Sequence, residues 1–516
     1  MSNLITITKA DEVYLLLRAD FSSLEYEKDL RDLQKIDNYF SAYAENFQHN
    51  YAYLSGKWDG MIRFLKKIPT YSGTYIFPIG LYEHLKVFAD SNNIQLDIQL
   101  KDSDIYAEHI VDWDKLKPIL NTPSYFEERP YQNKYVEEFF KTGRAVILSP
   151  TGSGKSSIIY RIVQNLLNFC LEETEKILIV VPTVDLIKQM YDEFIENGFQ
   201  NIDNYVFMLS TSIQKTFNKR ITISTWQSLQ NLPEETFAQF SALIIDECHL
   251  VSSSAEKLSY ISHNCLNARY RLGTTGTTPD KEIDKLTMIS YLGELLKFTS
   301  TQQLIKDGYL TKLNIKSVIL KWKHKGGYNV SDFQKEYELI VECKERNAVL
   351  LQTCYELYKR NPNTSILVLG RRTEHLKMLY DEFKLKKPDV NCYLVTGKDT
   401  KKKERGEIYN ELREDGGLFF ATEKIAGTGL NIKNISKVVL ATPLKSKVTL
   451  LQAIGRGVRK HQNKKELEVY DFIDKIPMSD KKINSTYKWV QKKENIYNNE
   501  CFTNVFYCLD LKVQSV

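Results

Sequence analysis

The chain contains no run approaching 18 consecutive apolar residues, so no membrane span is expected. Its opening stretch, "MSNLITITKADEVYLLL", has neither a basic n-region nor a long apolar segment, and no signal peptide is expected. The eight cysteines are scattered and form no Cys-x-x-Cys pair. That argues against a zinc site or a disulfide framework and fits a reducing cytosol. Low-complexity linkers are absent, and so is a convincing carboxylate–lysine nuclease motif. Nor is there a strong excess of one charge: 70 basic and 65 acidic residues leave +5, too little to name a partner.

What is present is material for several cores. The 516 residues correspond to three or four domains at about 150 residues each. Apolar residues make up 42% and charged residues 26%, the balance of an ordinary soluble protein. Basic residues cluster locally in "KWKHKGG" (321–327), "GKDTKKKER" (397–405) and "GRGVRKHQNKK" (455–465). Most such runs are solvated surface.

Residues 1–115 mix short apolar runs with turns and read as a small α/β module. Over 116–300 the rhythm changes to buried strands alternating with helices: "AVILS", "ILIVVP", "ITIST", "ALIIDE", "YRLGTT". It returns over 301–480 in "SILVLG", "NCYLVTG", "GLFFAT", "KVVLAT" and "LEVYDFI". Continuous apolar strands between helices indicate two doubly wound parallel sheets covered on both faces. Residues 481–516 form a basic, Asn-rich and then aromatic extension.

Three motifs carry chemistry. "SPTGSGKSS" (149–157) follows a strand and opens a helix, the setting of a phosphate loop. Gly152 and Gly154 let the backbone wrap phosphate oxygens, with Thr151, Ser153 and Ser157 beside them. Lys155 offsets phosphate charge, and the Ser156 hydroxyl is a ligand for Mg²⁺. "LIIDECHL" (243–250) puts Asp246 at a strand's carboxyl end as a second Mg²⁺ ligand and Glu247 as the base that activates water. In "LLQAIGRGVRK" (450–460), Gln452, Arg456 and Arg459 share one helical face, and an arginine there can stabilise transition-state charge.

In this order the motifs resemble those of superfamily 2 DExH helicases over roughly 350 residues. The resemblance makes "RPYQ" (129–132) an adenine-reading motif, with Arg129 and Gln132 at the nucleotide. "TGT" (275–277) resembles motif III and "ATEKIAGTGLNI" (421–432) motif V, in which Gly427 joins the nucleotide contacts. Asn431 stands where motif V often has Asp, while Thr428 and Gly429 are in place. The resemblance implies two RecA-like domains, with ATP between them and a single strand crossing both. It assigns strand contacts to Pro182, Thr183, Thr225, Trp226, Arg371, Thr396, Gly397, Thr422 and Thr428.

The front stretch "GKWDGMIRFL" (56–65) is similar to the N-terminal region of phage UvsW-type helicases. Those act on forks, Holliday junctions, D-loops and R-loops. The resemblance implies an ATP- and Mg²⁺-dependent DNA helicase that works as a monomer in a bacterial host's cytoplasm. Its substrates would be branched and single-stranded DNA, with RNA–DNA hybrids as a further class. Lys57, Arg63 and Lys66 are candidate phosphate contacts, and Trp58 a stacking wedge. Trp58 reads equally well as the core of a small domain. Likewise, 321–327 reads as a strand-separating hairpin or an ordinary turn. An RNA helicase or a restriction-system motor would share the same motor motifs. An inactive clamp would have lost the loop lysine, the DExH glutamate or the arginines, and all are present.

Overall fold

The computed structural model describes residues 5–513 except 20–25, 45, 125, 210–216, 253–255, 324–326, 331, 398–399, 401, 424, 426–431, 445–449, 452–453, 456 and 480–482. The chain forms two compact units. One comprises Met1–Ser149 and Gly154–Phe298, the other Pro150–Ser153 and Thr299–Val516.

The front module begins with β1 (Ile5–Lys9), β2 (Tyr14–Arg18) and the helix Tyr26–Tyr39. A short pair follows, β3 (Ser41–Tyr43) and β4 (Met61–Arg63), then β5 (Lys66–Lys67), β6 (Thr74–Pro78), the helix Tyr82–Ser91 and β7 (Leu96–Ile98). The sheet order is β5-β6-β2-β1-β7, with β3 and β4 paired separately. Alternate residues of a strand point to one face. Ile5 and Ile7, with Leu15 and Leu17, therefore meet Leu33 and Ile36 of the first helix and Leu85 and Ala89 of the second.

This module is built onto the first motor sheet. Ile289 is part of its core, and Ile283 and Leu286 pack against it. Gly80 lies so close to the Ile289 and Ser290 carbonyls that a Cβ would collide with them. The buried Arg144 guanidinium pairs with Glu12 at 2.8 Å, His84 with Glu294 at 2.8 Å, and the Tyr14 hydroxyl meets His263 at 2.7 Å. The expected boundary at residue 115 falls inside the helix Trp113–Leu120. Leu116 and Leu120 belong to the motor core, with Ala107, Val111 and Trp113 packed against it.

The first motor sheet contains β8 (Arg144–Leu148), β9 (Lys176–Val181), β10 (Val206–Leu209), β11 (Ile221–Thr225), β12 (Phe240–Asp246), β13 (Tyr270–Thr275) and β14 (Leu295–Leu296). The order is β10-β11-β9-β12-β13-β8-β14, and each pair runs parallel. Ile177, Ile179 and Val181 of β9 enter one core layer, while Leu178 and Val180 enter the other. Each such side chain contributes roughly 1.5–3 kcal/mol when fully buried. That explains why these strands read as unbroken apolar runs.

The second sheet contains β15 (Lys312–Lys323), β16 (Ser365–Gly370), β17 (Cys392–Val395), β18 (Gly417–Thr422), β19 (Ile435–Leu440), β20 (Glu466–Lys475) and β21 (Thr503–Lys512). It too is parallel, in the order β17-β18-β16-β19-β20-β15-β21. The expected C-terminal extension thus supplies an edge strand of this sheet and the helix Trp489–Asn499. Buried ion pairs hold these layers together. Lys493 of that helix reaches Asp471 at 2.6 Å. Arg346 and Asp474, both without exposed side-chain surface, pair at 3.1 Å. Asp474 also accepts from the Trp322 indole at 3.0 Å.

Asp474→Ala would leave the buried Arg346 guanidinium without its counter-charge, and its Nε–H and the Trp322 indole N–H without their acceptor. Removing one partner of such a pair is expected to destabilise the fold by about 3–5 kcal/mol. Urea unfolding measures this, and a loss below about 1 kcal/mol would contradict the buried pairing.

Candidate nucleotide and nucleic-acid sites

Because β8 through β14 run parallel, the loops leaving β8, β9, β11, β12 and β13 share one edge of the sheet, where open α/β folds hold ligands. The loop after β8 enters the helix Lys155–Asn165. Its Gly152 and Gly154 have φ of +86° and +82°, conformations that side chains rarely adopt. A Cβ on Gly154 would run into the Gln132 amide and lie 3.8 Å from Arg129. The expected adenine-reading residues therefore border the phosphate loop. Arg129 donates to the Tyr131 hydroxyl at 3.2 Å, and Gln132 is buried on the helix Pro130–Thr142.

Within the loop, the Ser153 N–H bonds to Pro150 O at 3.1 Å and the Ser157 N–H to Gly154 O at 3.0 Å. Ser153 and Ser157 are buried, while Thr151 and Ser156 are half-exposed. Lys155 opens the helix and lays its ammonium 3.4 Å from Ser149 O. The Ser149 N–H bonds in turn to Thr275 O at 2.9 Å, which ties the loop to the end of β13.

Asp246 closes β12 opposite Thr274 of β13. The Thr274 hydroxyl donates to Asp246 Oδ1 at 2.7 Å. Burial and the neighbouring Glu247 carboxylate push the Asp246 carboxyl above the usual carboxylate range, and Lys155 opposes them. Glu247 takes a left-handed φ of +51°. That conformation is sparsely populated for a residue with a side chain. It turns the chain sharply off the strand into the short turn Cys248–Leu250. His249 Nδ1 lies 3.3 Å from Glu247 Oε2 and 3.0 Å from Thr275 Oγ1. The Thr275 hydroxyl donates to Thr277 O at 2.8 Å. "DECH" and "TGT" are therefore one hydrogen-bonded assembly. Thr274, one residue before the triplet, is a participant that motif reading passes over.

The strand-contact candidates of this unit sit farther along the same edge. Pro182 and Thr183 follow β9, whose Val181 lies opposite Thr225 of β11. Thr225 caps the helical turn Trp226–Leu229, its hydroxyl accepting from the Ser228 N–H at 3.3 Å. In the second unit, Arg371 is exposed just after Gly370, and Gly370 lies opposite Thr422. The Arg371 charge opposes the upward, burial-driven shift of the Glu423 carboxyl. The Thr396 N–H donates to the Thr400 hydroxyl at 3.2 Å, and the Cα of Gly397 faces open space. Arg459 pairs in an isolated antiparallel bridge with Leu310. Gln452, Arg456, Gly427 and Thr428 lie outside the described residues, as do 324–326 of the candidate hairpin.

In the front module, Trp58 is half-buried and donates its indole N–H to Met61 O at 2.9 Å. It is anchored at the surface and absent from the module's core cluster. Lys57 and Lys66 are exposed. Arg63 is engaged, bonding Asp59 at 3.0 and 2.5 Å and Asp37 at 3.1 Å. Its guanidinium draws Asp59 down to about 2, while burial pushes Asp37 up. Around Trp58 the surface also presents Tyr43, Tyr51 and Tyr53, with Tyr43 stacked on Phe47 at 4.6 Å. No local pattern in the sequence singles these tyrosines out.

Three family models match the chain. They are the N-terminal domain of the DNA helicase UvsW over residues 14–99, the res subunit of type III restriction enzymes over 125–280 and the helicase conserved C-terminal domain over 348–461. The chain is 29% identical over 488 residues to the ATP-dependent DNA helicase uvsW of Enterobacteria phage T4, covering 91% of this chain and 92% of that one. It is 25% identical to putative helicase 22 of Sulfolobus islandicus filamentous virus, covering 90% and 84%. Among solved structures, a fragment of a putative HsdR subunit of a type I restriction enzyme from Vibrio vulnificus shares the fold. Its TM-score is 0.55 at 19% identity, covering 84% of this chain and 85% of that one.

Thr274→Val removes the donor that favours ionised Asp246. An acid whose folded pKa is already raised loses its carboxylate form as pH falls through that raised value. Without the donor the value rises again, so the acid limb of ATP hydrolysis should move up by about one pH unit. A pH–rate profile superimposable on wild type would remove Asp246 from that limb.

Proposed function

The chain is a superfamily 2 DExH helicase that resembles the phage UvsW type, and on that premise we propose that it uses ATP hydrolysis to remodel branched DNA. The observation that carries this reading is the front module. It matches the UvsW N-terminal model and is built onto the first motor sheet through the Arg144–Glu12 pair and the Ile289 contact. An RNA helicase or a restriction motor needs the same sheets and motifs, so the module is what favours branched DNA.

Each motif has a part in this reading. Gln132 and Arg129 hold the base, and the amides of Thr151 through Ser157 cradle the phosphates, with Gly427 closing on the nucleotide from motif V. Lys155 balances phosphate charge. Ser156 and Asp246 would hold Mg²⁺ with hard oxygen ligands, the kind it prefers. Among the described residues no cluster of three or more His, Cys, Asp and Glu forms a cage. When bound, Mg²⁺ would supply positive charge that offsets that of the phosphates. Glu247, held near His249 in its left-handed turn, orients and deprotonates the attacking water. Arg456 and Arg459 stabilise charge on the transferred phosphoryl group, with Gln452 beside them.

Pro182, Thr183, Thr225, Trp226, Arg371, Thr396, Gly397, Thr422 and Thr428 carry the tracked single strand. Lys57 and Trp58 face duplex DNA at the branch, and Arg63 organises their loop through Asp59 and Asp37. Among the described residues no helix is long and apolar enough to cross a membrane. We place the enzyme in the cytoplasm of a bacterial host, acting as a monomer.

A truncation at residue 115 would strip Ala107, Val111 and Trp113 from the motor core and leave Arg144 without Glu12. The test therefore uses the full chain. Glu247→Gln should bind ATP yet lose about two to four orders of magnitude in turnover. Lys57→Ala with Trp58→Ala should leave single-strand-stimulated ATPase within about twofold while four-way-junction conversion falls about tenfold. The salt slope of junction binding should drop by up to about 0.9 per lost phosphate contact. Junction conversion at the wild-type rate would remove the module from substrate recognition.

A further inference from the structure

Lys464 belongs to the run "GRGVRKHQNKK", which in sequence reads as solvated surface. In the fold its residue surface is only 7% exposed. It ends a tight turn ahead of β20, with its N–H bonded to His461 O at 3.1 Å. Its ammonium donates to three backbone carbonyls: Gly457 at 2.7 Å, Lys433 at 2.9 Å and Ile435 at 3.0 Å. Those bonds use every donor an ammonium has.

The surroundings make this an unusual place for a cation. Burial, and secondarily the like charge of Arg459, push the Lys464 pKa down to about 7. His461, itself lowered by burial and by Lys464, also lies close, as does Lys433. No carboxylate is among its three acceptors. A methionine of similar length would fill the space without desolvating a charge. What methionine cannot do is hold three carbonyls at fixed points.

Those carbonyls come from two segments. Lys433 and Ile435 follow motif V at the entry to β19, and Gly457 stands between Arg456 and Arg459 in motif VI. Arg271 of the first unit is a second cation held only by carbonyls: those of Ser262 and Ala268, each at 2.9 Å, of Cys265, and of Tyr291 on the helix Glu282–Leu292 at 3.4 Å. Lys464 differs in that the segments it joins carry motifs V and VI.

We infer that Lys464 is a positioning residue that ties the exit of motif V to the arginine-bearing turn of motif VI, so that strand binding at the first sets arginine geometry at the second. The inference rests on the functional roles given above to those two motifs.

The test is Lys464→Met in the full chain, alone and with Arg459→Ala, using single-stranded DNA as the stimulating strand. DNA-free ATPase, KM for ATP and single-strand affinity should stay within about twofold, while DNA-stimulated kcat falls about tenfold. In the Arg459→Ala background the same change should alter stimulated kcat by less than about twofold, because the positioned group is already gone. Full stimulation in Lys464→Met, or an undiminished loss in the double variant, would overturn the inference. If Lys464→Met melts more than about 5 °C early, Lys464→Gln, which retains a shorter donor, is read in its place. Partial recovery of stimulation then supports the tie, and equal loss of basal and stimulated turnover overturns it. Arg459→Ala turning over at the wild-type rate would instead remove the motif VI assignment. The tie then stands or falls on the loss of stimulation in the single lysine variant.

Discussion

Parallel pairing is the constraint on which the rest of each motor sheet depends. Every strand ends at the same edge, and every return crossing needs a helix on one face or the other. Both faces of the central strands are thereby covered, so strands such as β9 and β16 are apolar throughout. Polar function is confined to the loops at the carboxyl edge. There the backbone leaves the sheet and its N–H and C=O groups must find new partners. The phosphate loop, "DECH" and "TGT" are adjacent solutions to that one problem. Thr274 bonds Asp246, Thr275 bonds His249, and Ser149 bonds the Thr275 carbonyl. A shift at any one of them moves the others.

The same constraint governs what could be read in advance. Strands buried on both faces announce themselves as continuous runs, which is why "ILIVV" and "SILVLG" were legible and fell at β9 and β16. β21 is an edge strand with Val505, Phe506, Tyr507 and Leu509 exposed. Its mixed sequence, "TNVFYCLDLK", carries no two-faced signal, and it looked like a tail. The phosphate loop was legible because its chemistry is local: two glycines, a lysine and a serine in fixed order. The pairing of Arg63 with Asp37 was not, because Asp37 lies 26 residues away and no local spacing points to it. Lys464 is the sharpest case. A lysine among lysines has a surface composition, and only the fold places three carbonyls around its ammonium.

The front module shows a different limit. Composition separates it from the motor, and its sheet is its own. Yet its core takes in Ile289, and Gly80 is pressed against the carbonyls of the helix Glu282–Leu292. Glu12 answers the buried charge of Arg144 at the start of β8, the strand that delivers the phosphate loop. Removing the module would therefore unpair a cation at the base of that strand. A displacement of the module would reach the same strand through packed contacts, without a flexible linker to absorb it.

Two buried cations of the second unit, Arg346 and Lys464, are held differently, and the difference bears on coupling. Arg346 is matched by a carboxylate, so its charge is neutralised, and only one further bond, to the Ala441 carbonyl at 2.8 Å, reaches the backbone. Lys464 is matched only by carbonyls, so its bonds fix backbone positions directly. Three carbonyls around one ammonium must move together or leave a desolvated charge behind. A tie of the second kind suits two motifs that must shift as one body when a strand binds, because intermediate positions are the costly ones.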